Sequence, residues 1–132
     1  MSSVISTSKS STKELIHFFL QLRNQIKLYH WQTRQYSRHM ATDKAVDALD
    51  KNIDQFVEIY IGKYGRPATI SGTIRFINLT ESNADKFIKG SIKYLQTGLK
   101  KILNPTTDTD LLNIRDTITG DLNQLLYLFT LK

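Results

Sequence analysis

Cysteine is absent from the chain, which removes disulfides and thiolate metal sites from consideration. Proline occurs twice and glycine six times in 132 residues, so little interrupts long helices. No apolar run approaches the length of a membrane span, and the opening MSSVISTSKSSTK lacks the apolar core of a secretory signal. A soluble protein of the cytoplasm or another intracellular setting is therefore expected, or of a virion if the source is viral, with no membrane partner. Acidic residues are also scarce. Twelve face eighteen Lys and Arg, giving +6 and a pI near 9.6, a balance that favours nonspecific contact with polyanions such as DNA. The abundance of Lys, Ile, Asn and Thr suggests an AT-rich genome, bacterial or that of a large DNA virus.

What remains is enough for one domain with its own core, 40% of the residues being hydrophobic. Residues 1–10 are Ser/Thr-rich and are expected to be a mobile tail ahead of a single domain over 11–132. Ser11 and Glu14 form the pattern of a capping box. Leu15, Phe18, Phe19, Leu22, Ile26 and Tyr29 follow at spacings of three and four, the stripe of a first helix. The polar run from Gln32 to Arg38 makes the turn into a second helix, roughly Met40 to Ile61, whose stripe is Val46, Leu49, Ile53, Phe56 and Tyr60. Gly62, Gly65 and Pro67 open an irregular connector through Thr80. A third helix is expected from near Ser82 to Leu103, on Ala84, Ile88, Ile92, Leu95, Leu99 and Ile102. Asn104 and Pro105 end it, and a fourth carries Leu111, Ile114, Ile118, Leu122, Leu125 and Phe129, with Tyr127 also assigned to the core. Two short turns and one longer connector describe an all-α four-helix bundle with a crossover between its second and third helices.

Chemistry concentrates between His30 and Glu58. Residues four apart on a helix point the same way, and His39 with Asp43 and Asp54 with Glu58 are two such pairs. Laid out at about 100° per residue, His39, Asp50, Asp54 and Glu58 fall within about 60° of Asp43, beside the buried stripe. Asp43 and Asp54 are about 16 Å apart along the axis, so one chain cannot close both pairs on one ion. An antiparallel two-fold neighbour can, with the axis near Leu49 and each Asp50 meeting its mate, a repulsion that needs cations or protonation. Imidazole with carboxylates suits iron(II), manganese or zinc. Taken alone, such pairs are also common on solvated helices. His30, on the edge of the first stripe, fits equally a hydrogen-bonded core histidine and a ligand. His17 has no partner at a useful spacing.

His30-Trp31, His39, Asp43, Asp54 and Glu58 together resemble the ferroxidase motif of the Dps proteins (DNA-binding proteins from starved cells), ferritin-like mini-cages. The last three spacings of that motif are reproduced and the first is three residues shorter; the glycine after His-Trp is absent, and Ile59 stands where an arginine usually follows the Glu. The resemblance spans about residues 12–132. It implies a ferritin-like bundle and a homo-oligomer, at least a two-fold dimer, with a dodecameric cage as the larger assembly that the family forms. It implies iron as substrate, with Asp54 and Glu58 from one subunit and His30, His39 and Asp43 from its neighbour, Trp31 and Asp50 lying near the axis or behind the ligands. Peroxide-driven oxidation of iron(II) would follow. Lys86, Lys89, Lys93 and Lys100 share one face of the third helix and are candidate nucleic-acid contacts, although any exposed helix needs a charged face. A noncatalytic basic protein that binds nucleic acid, or an assembly component, is the alternative.

Overall fold

The computed structural model describes side chains for residues 12–66 and 70–132; the tail expected over 1–10, the Ser11 cap and Pro67 lie outside these. Four α-helices make the fold, α1 (Ser2–Gln32), α2 (Tyr36–Tyr64), α3 (Ala84–Lys93) and α4 (Thr109–Leu128), and among the described residues there is no strand. The periodic stripes turn inward as their spacing dictates. Leu15, Phe19, Leu22, Ile26, Val46, Leu49, Phe56, Ile88, Leu95, Ile118, Leu122 and Leu125 are buried together. Phe19 meets Phe56 edge to face at 5.1 Å, and burying each such side chain stabilises the bundle by about 1.5–3 kcal/mol.

The turn between α1 and α2 is three residues long, which forces the helices antiparallel; Arg23 and Asp50 pair across them at 2.8 Å. The longer connector then returns along α1, and its course follows from two matching periods. His17 Nε2 lies 3.1 Å from Thr73 O and donates to it, Gln21 approaches Arg75 O at 3.5 Å, and Gln25 donates to Ile77 O at 3.0 Å. Four residues of helix advance about 6 Å and two of extended chain about 6.6 Å, so the two rows stay in register. Gln25, fully buried, also accepts the Ile77 N–H at 2.7 Å, and its amide thus serves the connector as a neighbouring strand would. At the far end Glu81 accepts from Tyr29 and Thr33. The connector therefore runs parallel to α1 and delivers α3 parallel to α2. α2 lies between α1 and α4, whereas α3 packs on α4 and, through Tyr94, on Phe18 and Glu14 of α1. α2 and α3 thus occupy opposite corners.

The helices differ from the sequence expectation in four places, the first being that α2 runs through Gly62 to Tyr64 and is ended by Gly65, whose φ of 88° takes the chain out of the helix. α2 begins at Tyr36, because Arg38, expected in the turn, is buried: it donates to Tyr29 Oη at 3.0 Å and lies 4.4 Å over the Phe129 ring. The third helix is α-helical only to Lys93 and continues as a π-helical turn (Tyr94–Gly98) and a 3-10 turn (Leu99–Lys101). There the Tyr94 ring folds over Gly98, where a Cβ would come within 2.6 Å of it. The widened turn leaves Ile102 half-buried and buries Leu103. Tyr127 is 62% exposed, because it follows Leu125 by two residues and so points to the other side of α4.

The end of the bundle remote from the α1–α2 turn is locked by a charge cluster. Asp108, fully buried, accepts from Tyr64 Oη at 2.6 Å, the Asn104 N–H at 2.7 Å and Lys63 Nζ at 2.9 Å. Burial pushes the Asp108 carboxyl up, but the bonds from Tyr64, Asn104 and Lys63 together hold it below its ordinary value. Burial, then the bond to Asp108, pushes the Tyr64 phenol up to about 12. A carboxyl with a depressed folded pKa stabilises above its unfolded pKa, 3.8, and that contribution disappears as the pH falls through the lower folded value. The raised phenol contributes in full below 10.0, and loses its contribution as the pH rises toward about 12. Asp108→Asn is expected to cost on the order of 2 kcal/mol at pH 7 in urea unfolding and to flatten the loss of stability below pH 3.8. An unchanged acid limb would contradict this account of the cluster.

Candidate metal centre

His30 ends the buried stripe of α1 and is 7% exposed; His39 lies in the first turn of α2, half-buried. The short turn brings their rings into a stack, centroids 3.9 Å apart and planes 17° from parallel. Each ring then bonds the other residue's backbone. His30 Nδ1 lies 2.8 Å from His39 O, and His39 Nδ1 lies 2.9 Å from His30 O. A carbonyl only accepts, so both Nδ1 atoms carry the proton, and both Nε2 atoms of the neutral rings keep a lone pair. Thr42, fully buried, reinforces the choice: its hydroxyl donates to Arg38 O at 2.7 Å and accepts from His30 Nδ1 at 3.0 Å. Such backbone bonds behind an imidazole are the usual way a ligating ring is oriented.

The stack also limits what the pair can hold. An imidazole lone pair lies in the ring plane, and a metal sits about 2.1 Å from the nitrogen. Two nearly parallel planes at this separation do not converge on one ion at that distance. As placed, the histidines are two separate donors rather than a chelate.

Asp43, Asp54 and Glu58 are exposed on α2, and among the described residues no cation pairs with any of them. Asp50, on the same face, differs: Arg23 Nε and Nη2 reach its two oxygens at 2.8 and 3.2 Å. Asp50 therefore carries its own counter-charge within the chain. Trp31 is 67% exposed, with Lys27 Nζ 5.3 Å from its ring centroid, and lies outside the histidine stack. Among the described residues of the single chain, no three His, Cys, Asp or Glu side chains converge as a metal cage. The structure thus brings His30 to His39 and leaves Asp43, Asp54 and Glu58 displayed along α2.

Sequence reasoning missed Thr42 and Arg38. Thr42 had a faint signal, since a threonine inside a helix turns its hydroxyl onto a carbonyl three or four residues back, here within the turn that holds His39. His17, set aside for want of a partner, holds the connector instead.

Residues 30–129 match a family of unknown function (DUF5856), and the chain belongs to that family. The matched span begins at His30 and takes in every candidate ligand together with Arg38 and Thr42. No curated protein and no solved structure matches the chain.

Thr42→Val keeps the shape and removes the hydroxyl. It is expected to cost about 1 kcal/mol of stability and to weaken cobalt(II) binding roughly tenfold in an absorbance titration, with Thr42→Ser restoring both. Equal cobalt affinity in all three proteins would remove Thr42 from the site.

Proposed function

We propose that the chain is a ferritin-like, Dps-like protein that takes up iron(II) as substrate at sites shared across a two-fold subunit interface and oxidises it with peroxide. The observation that carries this reading is the pair of oriented imidazoles whose Nε2 atoms keep their lone pairs, on the same chain as three carboxylates that no cation among the described residues neutralises. A long crossover between two parallel helices, the connectivity of ferritin-like bundles, supports it further.

In an antiparallel pair of α2 helices, Asp54 and Glu58 of one copy would stand opposite His30, His39 and Asp43 of the other. The histidines, as two separate donors, suit two ions rather than one, and paired metal ions lie about 3.5–4 Å apart in known two-metal chemistry. Two iron(II) ions each give one electron to hydrogen peroxide, whose O–O bond breaks to leave two hydroxides and two iron(III). The carboxylates balance the charge gained. Manganese and zinc also suit these donors, but zinc has no electron to give to peroxide.

A second reading rests on its own observation: Lys86, Lys89, Lys93 and Lys100 are exposed on the corner opposite α2, with no ion pair among the described residues. Nonspecific nucleic-acid binding by that face, with or without iron chemistry, would weaken steeply with salt and would not depend on Glu58.

Iron(II) added anaerobically and then peroxide, followed by near-ultraviolet absorbance with mass from light scattering, tests the main reading. Rapid oxidation by an oligomer is expected from the wild type, and its loss from the Asp54→Ala, Glu58→Ala double variant with helix content unchanged. Identical slow traces would sink the ferroxidase reading and leave the lysine face or a purely structural assembly in its place.

A further inference from the structure

The connector between α2 and α3 has an open edge on the side away from α1. In extended chain the N–H and C=O of one residue point to the same edge, and successive residues alternate between the two edges. Thr73, Arg75 and Ile77 turn theirs to α1, where His17, Gln21 and Gln25 bond them. Ile74 and Phe76 therefore turn theirs outward, and among the described residues neither backbone has a hydrogen bond. The edge has definite ends. Gly72, at a φ of 138°, leaves the extended conformation, and Asn78 O is taken by Asn83 Nδ2 at 3.1 Å. Two residues thus offer two donors and two acceptors in one line, as the rim of a sheet does.

The side chains beside that edge are apolar and in water. Phe76 is 55% and Ile77 45% exposed, and Ile74 is half-buried. Side chains alternate across the strand, so Ile74 and Phe76 share one face and Arg75 and Ile77 the other. Arg75 is exposed and makes no ion pair among the described residues. An added strand would cover the apolar surface and set one residue directly opposite Arg75. In such additions the main-chain bonds supply affinity, and alternate side chains supply the choice of sequence.

Charge decides the occupant. Two copies of the connector, paired antiparallel, make all the bonds that Ile74 and Phe76 offer only with Ile74 opposite Phe76. That register sets Arg75 directly against Arg75, between chains that each carry +6, and like charges in opposed positions destabilise a strand pair. A carboxylate in that position turns repulsion into attraction, and apolar residues on either side of it meet Ile74 and Phe76. We propose that the connector edge docks an extended segment of another protein, added as an antiparallel strand, whose residues run apolar, acidic, apolar. The site is separate from the histidine stack and does not depend on the iron reading.

Amide proton–nitrogen NMR spectra of the full chain, titrated with the peptide acetyl-Thr-Val-Glu-Val-Thr-amide, test the proposal. Saturable binding is expected, with a dissociation constant on the order of 1 mM or below and with the Ile74 and Phe76 amide protons moving downfield as they enter hydrogen bonds. N-methylation of both valines removes the donors that face the edge, and replacing Glu by Lys reverses the charge opposite Arg75; each is expected to weaken binding about tenfold. Arg75→Glu, at an exposed side chain, is expected to prefer the Lys peptide instead. No saturable shift at Ile74 and Phe76, equal binding of the N-methylated peptide, or an unchanged preference in Arg75→Glu would overturn the inference. So would a dimer of the chain, seen by light scattering, that Phe76→Ser dissolves, since the edge would then belong to a second copy.

Discussion

Two imidazoles that each donate to the other residue's backbone carbonyl close the turn between α1 and α2, and the rest of the bundle is set from that closure. His30 and His39 stand nine residues apart around the turn, as do Tyr29 and Arg38, whose side chains bond one step deeper in the core. The exchange satisfies the His30 carbonyl, one of the last four of α1, and adds a further donor to the His39 carbonyl in the first turn of α2, and it does so with rings that retain a second nitrogen. Nδ1 of each ring holds the fold, and Nε2 keeps its lone pair.

The crossover extends the same logic along the molecule. Because the row His17, Gln21, Gln25 advances at nearly the pace of extended chain, the connector lies along α1 with its carbonyls bonded and reaches Glu81, which takes up Tyr29 and Thr33 beside the turn. Arg38, Tyr29 and Asp85 then tie α1, α2 and α3 at that end, while Lys63, Tyr64 and Asp108 tie α2 to the start of α4 at the other. Between these polar ends the core is hydrophobic. One consequence is electrical: α2 displays Asp43, Asp54 and Glu58 with no ion pair among the described residues, and α3 displays lysines at the opposite corner.

The features that could be read from the sequence are those whose determinants lie within one or two helical turns. The four amphipathic stripes follow from spacings of three and four, and the pairs His39 with Asp43 and Asp54 with Glu58 needed only the helical repeat. Features with a partner remote in the chain were invisible. Asp108 reads as a polar loop residue until Tyr64, forty-four positions away, is found on it. Arg38 reads as turn until Phe129, at the other end of the domain, covers it. The π turn in the third helix depends on an aromatic ring folding over Gly98 and stacking on Phe18, a tertiary contact that no periodicity encodes. For His30 the sequence left a core histidine and a ligand as competing descriptions, and the geometry makes them compatible.

The most direct test is the protonation pattern of the two rings. Long-range proton–nitrogen NMR spectra of the histidine side chains, recorded on the metal-free protein at a pH where the rings are neutral, report which nitrogen bears hydrogen. The account predicts protonated Nδ1 and bare Nε2 for both His30 and His39, against protonated Nε2 for His17, which donates from that atom to Thr73. Protonated Nε2 on His30 or His39 would contradict it, breaking the exchange that closes the turn and removing the lone pair on which the proposed metal site rests.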